Sequence, residues 1–227
     1  MISVLLLMGP EGAGKSTVAE HLVAMHGFVE LSFAGALRES ALAMWNGIAA
    51  MSSEFPTLSI ADTFDREKKE KPIGDFVLAG RPFSPRVLLQ WFGTDILRNL
   101  VADDIWAHAT LNRMRTEIAK GQRRFVFSDY RFSNECQSIK EFLRNQELAW
   151  NAQTVRIVPG NISAEALAQM RTAALSGHPS THGWTTFHAD KEIANPFLEK
   201  TRIAWLEDTC RGLVTDLEEV RREAVEA

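Results

Sequence analysis

Residues 9 to 16 read Gly-Pro-Glu-Gly-Ala-Gly-Lys-Ser and follow directly on the apolar run Ile2 to Met8. The spacing G-x-x-x-x-G-K-S is a phosphate-binding loop when a buried strand precedes it and a helix follows. Glycines let successive backbone N–H groups turn inward with no Cβ in the way. The positive end of the following helix adds its own pull on phosphate oxygens. Gly9, Glu11, Gly12, Ala13 and Gly14 are therefore expected to line a nucleotide's phosphates. Lys15 is expected to reach the β- and γ-phosphates, Ser16 to ligate Mg²⁺ through its hydroxyl, and Thr17 to lie beside the α-phosphate. The implied cofactors are ATP and Mg²⁺.

A second set of residues suits a second anion. After Ser84-Pro85, Arg86, Gln90, Thr94 and Arg98 recur at intervals of four. On an α-helix they lie about 200° from the parallel series Leu88, Phe92, Ile96 and Leu100. The planar guanidinium groups of Arg86 and Arg98 match a phosphate bidentately, and Gln90 can read a base edge. Asp129 and Arg131 stand just beyond the apolar stretch Phe125 to Ser128, at a strand's carboxyl end, where open α/β sheets place ligands. Phosphoryl transfer asks for positioning and charge neutralisation rather than a covalent nucleophile. Asp129 is expected to hold Mg²⁺ or the acceptor, Arg131 to neutralise the transferred group, and Glu135 to orient Arg131.

The elements that must hold these groups follow from periodicity and punctuation. Strands are expected at Ile2 to Met8, Phe28 to Ser32, Phe125 to Ser128, Thr154 to Val158 and Phe187 to Ile193. Helices are expected at Lys15 to His26, Ala34 to Trp45, Ser84 to Leu100, Asp104 to Lys120, Asn134 to Asn145, Ala164 to Leu175 and Pro196 to Val225. Residues 46–75 read as an irregular exposed excursion, with the charge run 65–71 as a solvated face. Strand and helix alternate, which predicts an α/β fold of three layers with a mostly parallel central sheet.

Composition narrows the class. The chain has 227 residues, 45% of them hydrophobic, enough to bury one large α/β core. Its net charge of −4 offers no global positive field for duplex nucleic acid or a membrane surface, so no stable nucleic-acid or membrane partner is expected. The apolar run of residues 2–8 is too short for a membrane span, and Cys136 and Cys210 form no C-x-x-C pair. A cytoplasmic protein is expected. No guanine-reading N-K-x-D motif occurs, which argues against a switch GTPase.

Taken in order, "GPEGAGKST", "LSFAGALRE", "SPRVLLQWFGTDILRNLVADDIWAHA", "FSDYRFSNE" and "HPS…FHADKEIAN" resemble the bacteriophage deoxynucleoside monophosphate kinase family, from about residue 1 to residue 200. The resemblance implies a P-loop, nucleoside monophosphate kinase-like domain over 1–227, with a helical acceptor-binding insertion at 33–121 and a lid-like segment at 159–186. It implies transfer of the ATP γ-phosphoryl to a deoxynucleoside 5′-monophosphate (dNMP), in the host cytoplasm if phage-encoded, by a protein that forms a homodimer. The acceptor side then comprises Phe33, Arg38, Arg86, Gln90, Arg98, Trp106, Asp129, Arg131 and Glu135, with the two aromatics as stacking surfaces for the base. Arg171 in the lid and Asn195 near the adenine complete the ATP side. The lid departs from the family pattern: Arg171 is its one arginine, and the His-x-Ser-Glu block reads His178-Pro179-Ser180-Thr181. Arg156, on the strand before it, is the candidate substitute. Two other readings stay open at this stage: a kinase of dephospho-coenzyme A or another small metabolite, and an ATP-binding regulatory protein.

Overall fold

The computed structural model describes residues 1–197 and 202–226. Its elements run β1 (Ile2–Met8), α1 (Lys15–His26), β2 (Val29–Leu31), α2 (Phe33–Ala49), α3 (Ile60–Phe64), α4 (Arg66–Glu70), β3 (Val77–Leu78), β4 (Arg81–Pro82) and α5 (Pro85–Gln90). A π-helical segment (Trp91–Val101) then leads to α6 (Ile105–Ala119), β5 (Arg124–Phe127), α7 (Ser133–Arg144) and β6 (Trp150–Pro159). The chain ends with α8 (Ala164–Ser176), a 3₁₀ turn (Pro179–Thr181), α9 (Gly183–Thr186), β7 (Lys191–Asn195) and α10 (Arg202–Glu226). It divides into two compact units, residues 1–32 with 111–227 and residues 33–110.

The first unit is built on a five-stranded sheet in the order β2-β5-β1-β6-β7, with every pairing parallel. All seven residues of β1 are buried, which is why this strand reads as an unbroken apolar run rather than an alternation. One layer of the core joins Leu5 and Leu7 of β1 to Val18 and Leu22 of α1 and to Leu206, Cys210, Leu213 and Leu217 of α10. Fully burying one such leucine is worth about 1.5–3 kcal/mol. α1 stops at Gly27, which adopts φ 67 and so takes the left-handed cap at no side-chain penalty. Along the sheet the chain passes from β1 outward to β2 and later fills in β5, while β6 and β7 extend on the other side. The strand order therefore reverses at β1, and the loop after β1 lies at the switch point where such sheets take ligands.

β6 is longer than the expected Thr154 to Val158, pairing with all of β1 from Ile2↔Trp150 to Met8↔Arg156. Polar Asn151 hid this extension, yet it is buried with its amide donating to the Leu217 carbonyl at 3.4 Å. The last strand sits later than Phe187 to Ile193, because Gly183 to Thr186 close a helical turn first. The terminal helix expected from Pro196 to Val225 is not helical at Pro196 and Phe197, its residues 198–201 lie outside the described residues, and α10 runs from Arg202.

The second unit has its own core of Ala41, Leu42, Trp45, Leu58, Phe83 and Leu88, with Trp45 stacked on Phe83 at 4.2 Å between ring centroids. The stretch 46–75 is not the irregular excursion that its charges suggest. Phe55 and Leu58 pack into this core, and Asn46 clasps Leu58 through both its amide groups. Ser59 and Asp62 form a capping box that starts α3, and the charge run makes α4. The hairpin β3–β4 turns on Ala79 and Gly80, both at positive φ, a pattern that short loops between antiparallel strands demand.

The expected straight helix from Ser84 to Leu100 also changes. Ser84 caps it as foreseen, accepting from the Val87 N–H, but from Trp91 onward the hydrogen bonds run to the fifth residue back, as in Ala102 to Leu97 at 2.9 Å. A wider turn redistributes the faces. Thr94 and Arg98 are buried, while Leu100, assigned to the apolar face, is 73% exposed.

Candidate active site

The loop after β1 is shaped by three glycines at positive φ: Gly9 (151°), Gly12 (79°) and Gly14 (98°). At Gly9 a side chain is excluded twice over, since a Cβ would lie 2.1 Å from the Ile157 carbonyl oxygen of β6. Gly14 is the N-cap of α1, and no side chain caps that helix. A glycine-capped helix N-terminus behind a strand is the kind of arrangement that binds phosphate. Lys15 Nζ folds back over the loop and donates to the carbonyls of Gly9 at 2.9 Å and Pro10 at 2.7 Å. Ser16 is exposed on the first turn of α1, and Thr17 is half-buried beside it. Ala13 is fully buried and Glu11 exposed.

At the carboxyl end of the neighbouring strand, Asp129 Oδ2 accepts from Ser32 Oγ at 2.7 Å. The register Leu31↔Phe127 places the ends of β2 and β5 side by side and makes this bond. Ser32 carries no sequence signal of its own, because only that register reveals it. Arg131 is exposed, and the turn that holds it is fixed from behind. Glu135, 1% exposed, accepts the backbone N–H groups of Arg131 at 2.8 Å and Phe132 at 3.0 Å. Glu135 therefore acts on the backbone of the Asp129-Tyr130-Arg131 turn and stands at the N3 position of α7. Tyr130 is buried and packs on Phe187, and burial pushes its phenol well above the usual range. On the other side of the same turn, Gly183 approaches so closely that a Cβ would meet the Arg131 carbonyl oxygen at 2.2 Å.

Arg156 does not stand free to substitute for lid arginines. Its Nε donates to the Trp184 carbonyl at 2.8 Å, Nη2 donates to the Phe187 carbonyl, and Nη1 pairs with Glu192 at 3.0 Å. It clamps the chain from α9 into β7 onto the sheet. Arg171 of α8 shares the same carboxylate, 3.9 Å from Glu192. Asn195, expected near the adenine, donates from Nδ2 to the Ala13 carbonyl at 3.0 Å, inside the phosphate loop.

Within the second unit, Arg86 pairs with Glu70 of α4, a partner concealed in the charge run read as solvated. Gln90 Oε1 accepts from Arg81 Nη1 at 3.0 Å, and Arg81 also reaches Asp95 at 3.3 Å. Arg98 is not on a cationic surface: it is 8% exposed and donates to the Asp103 carbonyl at 2.7 Å, closing the end of the π-helical segment. Trp106 is likewise buried, with its indole N–H on the Gly93 carbonyl at 3.0 Å. Phe33 is buried, and Arg38 lies over the Phe64 ring at 4.3 Å.

No family model matches the chain. Two known proteins do. One, named "Putative deoxynucleotide monophosphate kinase", from Acanthamoeba polyphaga mimivirus, is 33% identical over 143 residues, covering 60% of this chain and 67% of the mimivirus protein. The other, the deoxynucleoside-5′-monophosphate kinase of Escherichia phage T5, is 31% identical over 115 residues, covering 50% of this chain and 40% of the phage protein. With a phosphate-binding loop at the switch point of a parallel sheet and these two relatives, the chain belongs to the viral and bacteriophage deoxynucleoside monophosphate kinase family.

Proposed function

We propose that this chain transfers the γ-phosphoryl group of ATP to a deoxynucleoside 5′-monophosphate, giving the diphosphate and ADP. The observation that supports this most is the uncapped N-terminus of α1 behind a loop whose glycines adopt conformations other residues resist, in a chain of this family. An oxygen of the acceptor's phosphate bonds to the γ-phosphorus as the bond from that phosphorus to the β–γ bridging oxygen breaks. Both partners are anions, so the protein's work is to neutralise charge and exclude water. Lys15 exchanges two neutral carbonyl partners for phosphate oxygens, and charge-assisted bonds are the stronger kind.

The residues at the loop fit Mg²⁺. Among the described residues no group of three His, Cys, Asp or Glu could hold a metal by itself. A hard cation would then take phosphate oxygens and water for most of its ligands, with the Ser16 hydroxyl and the Asp129 carboxylate from the protein, which is the habit of Mg²⁺ in phosphoryl-transfer sites. When bound, the ion neutralises charge on the transferred group. Arg131 adds a mobile positive charge on a turn that Glu135 keeps rigid. Arg86 and Gln90 are the proposed acceptor contacts of the second unit, each released from a neighbouring side chain when the nucleotide binds. Arg98, Trp106 and Phe33 act from beneath by packing.

The test is ADP release from ATP and Mg²⁺ with a panel of deoxy- and ribonucleoside monophosphates and with dephospho-coenzyme A. The proposal expects acceptor-dependent ADP with at least one deoxynucleotide. Release with dephospho-coenzyme A alone would select the other kinase reading, and nucleotide binding with no acceptor-dependent release would select a regulatory protein.

A further inference from the structure

Asn195 is the last residue of β7 and is 8% exposed. Both ends of its amide are engaged: Nδ2 donates to the Ala13 carbonyl at 3.0 Å, and Oδ1 accepts from the Phe197 N–H at 3.1 Å. A carbonyl on one side and an N–H on the other fix which end of the amide is which. Its own main-chain carbonyl accepts from the Gly160 N–H at 2.7 Å, tying the same point to the end of β6. The side chain also touches the next residue of the loop, since a Cβ on Gly14 would lie 2.4 Å from Asn195 Nδ2. Phe197 adopts φ 53, uncommon for a bulky residue, with its N–H held by Asn195.

A trans peptide points its C=O and its N–H to opposite sides. The bond that holds the Ala13 carbonyl against Asn195 therefore turns the Gly14 N–H the other way and keeps it there. Gly14 has no side chain to stiffen it, so this peptide would otherwise be among the freest in the loop.

We propose that Asn195 is a positioning residue for the polyphosphate, acting through the Ala13–Gly14 peptide, and that it makes no contact with the adenine. Its bond supplies the rigidity that a glycine-rich loop lacks, from a strand that is not adjacent to β1 in the sheet. The inference rests on the reading that the loop binds ATP.

The experiment compares the dissociation constants of Mg²⁺-ATP and of inorganic tripolyphosphate with Mg²⁺, on the wild type, Asn195→Ala and Asn195→Asp, together with the KM for the accepted dNMP. Loss of one buried hydrogen bond and its stranded carbonyl predicts about tenfold weaker binding in Asn195→Ala. The loss should be the same factor for ATP and for tripolyphosphate, with the KM for the dNMP unchanged. Asn195→Asp keeps the volume and the acceptor for Phe197 but sets a carboxylate oxygen against the Ala13 carbonyl. It should lose at least as much, again equally for the two ligands, and it supplies the reading if the alanine variant does not fold. Weaker ATP binding with tripolyphosphate unaffected would make Asn195 an adenine contact and overturn the proposal, as would no change in either. A wild type that binds neither ligand would remove the nucleotide reading itself, an outcome distinct from both.

Discussion

At the scale of single residues, the proposed chemistry rests on Lys15 and on the conformations of the glycines around it. In this structure the lysine ammonium donates to two carbonyls of its own loop, Gly9 and Pro10. Lys15→Ala should accordingly lower kcat about 10²–10³-fold, the loss expected when a preorganised charged donor is removed from a transition state. The melting temperature should move little, which a thermal melt beside the kinetic assay would check. The place and conformation of this loop were legible in the sequence because they are set by glycines at closely spaced positions between an apolar run and a helix. Arg98 was misread for the opposite reason. Its place in a series of four-residue steps looked like a cationic surface, and only the π-helical turn reveals that it is buried on the Asp103 carbonyl. Arg81, Glu70 and Glu192 went unnoticed because each is a partner across space with no motif around it.

At the scale of elements, the turn between β5 and α7 and the crossing from β6 to β7 set the frame of the site. Glu135 satisfies two backbone N–H groups of that turn while buried. Glu135→Ala should destabilise the fold by about 1–3 kcal/mol, the penalty for stranding buried donors, and lower kcat with it. Glu135→Gln, which keeps an acceptor oxygen, should recover most of both in parallel denaturation and kinetic measurements. Asp190 ties the start of β7 to β6, with Oδ2 accepting from the Thr154 N–H and from the Thr154 hydroxyl, each at 2.7 Å. Burial pushes this carboxyl up, but those two hydrogen bonds, with Lys140 and His188 nearby, outweigh it and hold it below the ordinary aspartate value. A lowered folded-state pKa stabilises above the ordinary value and is lost as pH falls through it. The melting-temperature gap between wild type and Asp190→Asn should therefore be widest near neutral pH and shrink as the pH falls below the ordinary aspartate value. Strand–helix alternation predicted the sheet well, since buried parallel strands announce themselves as apolar runs. The hairpin β3–β4 and the extended start of β6 were hidden, one by its shortness and the other by a buried but satisfied asparagine.

At the scale of the whole molecule, the chain has two units with separate cores. The unit of residues 1–32 and 111–227 presents the phosphate loop, Asp129 and Arg131 at the carboxyl ends of its strands, and the unit of residues 33–110 supplies the proposed acceptor contacts Arg86 and Gln90. Among the described residues no helix is long and apolar enough to cross a membrane. The relatives match 60% and 50% of this chain, so the proposed activity stands on the loop chemistry as much as on kinship. The central claim is that phosphorus moves from ATP to a nucleotide that already bears one phosphate. The most direct measurement incubates the purified chain with γ-labelled ATP, Mg²⁺ and each of the four common dNMPs, and separates the products. The account predicts label in the deoxynucleoside diphosphate, in equal amount to the ADP formed. Label found as inorganic phosphate alone, or left in ATP with every dNMP, would contradict it.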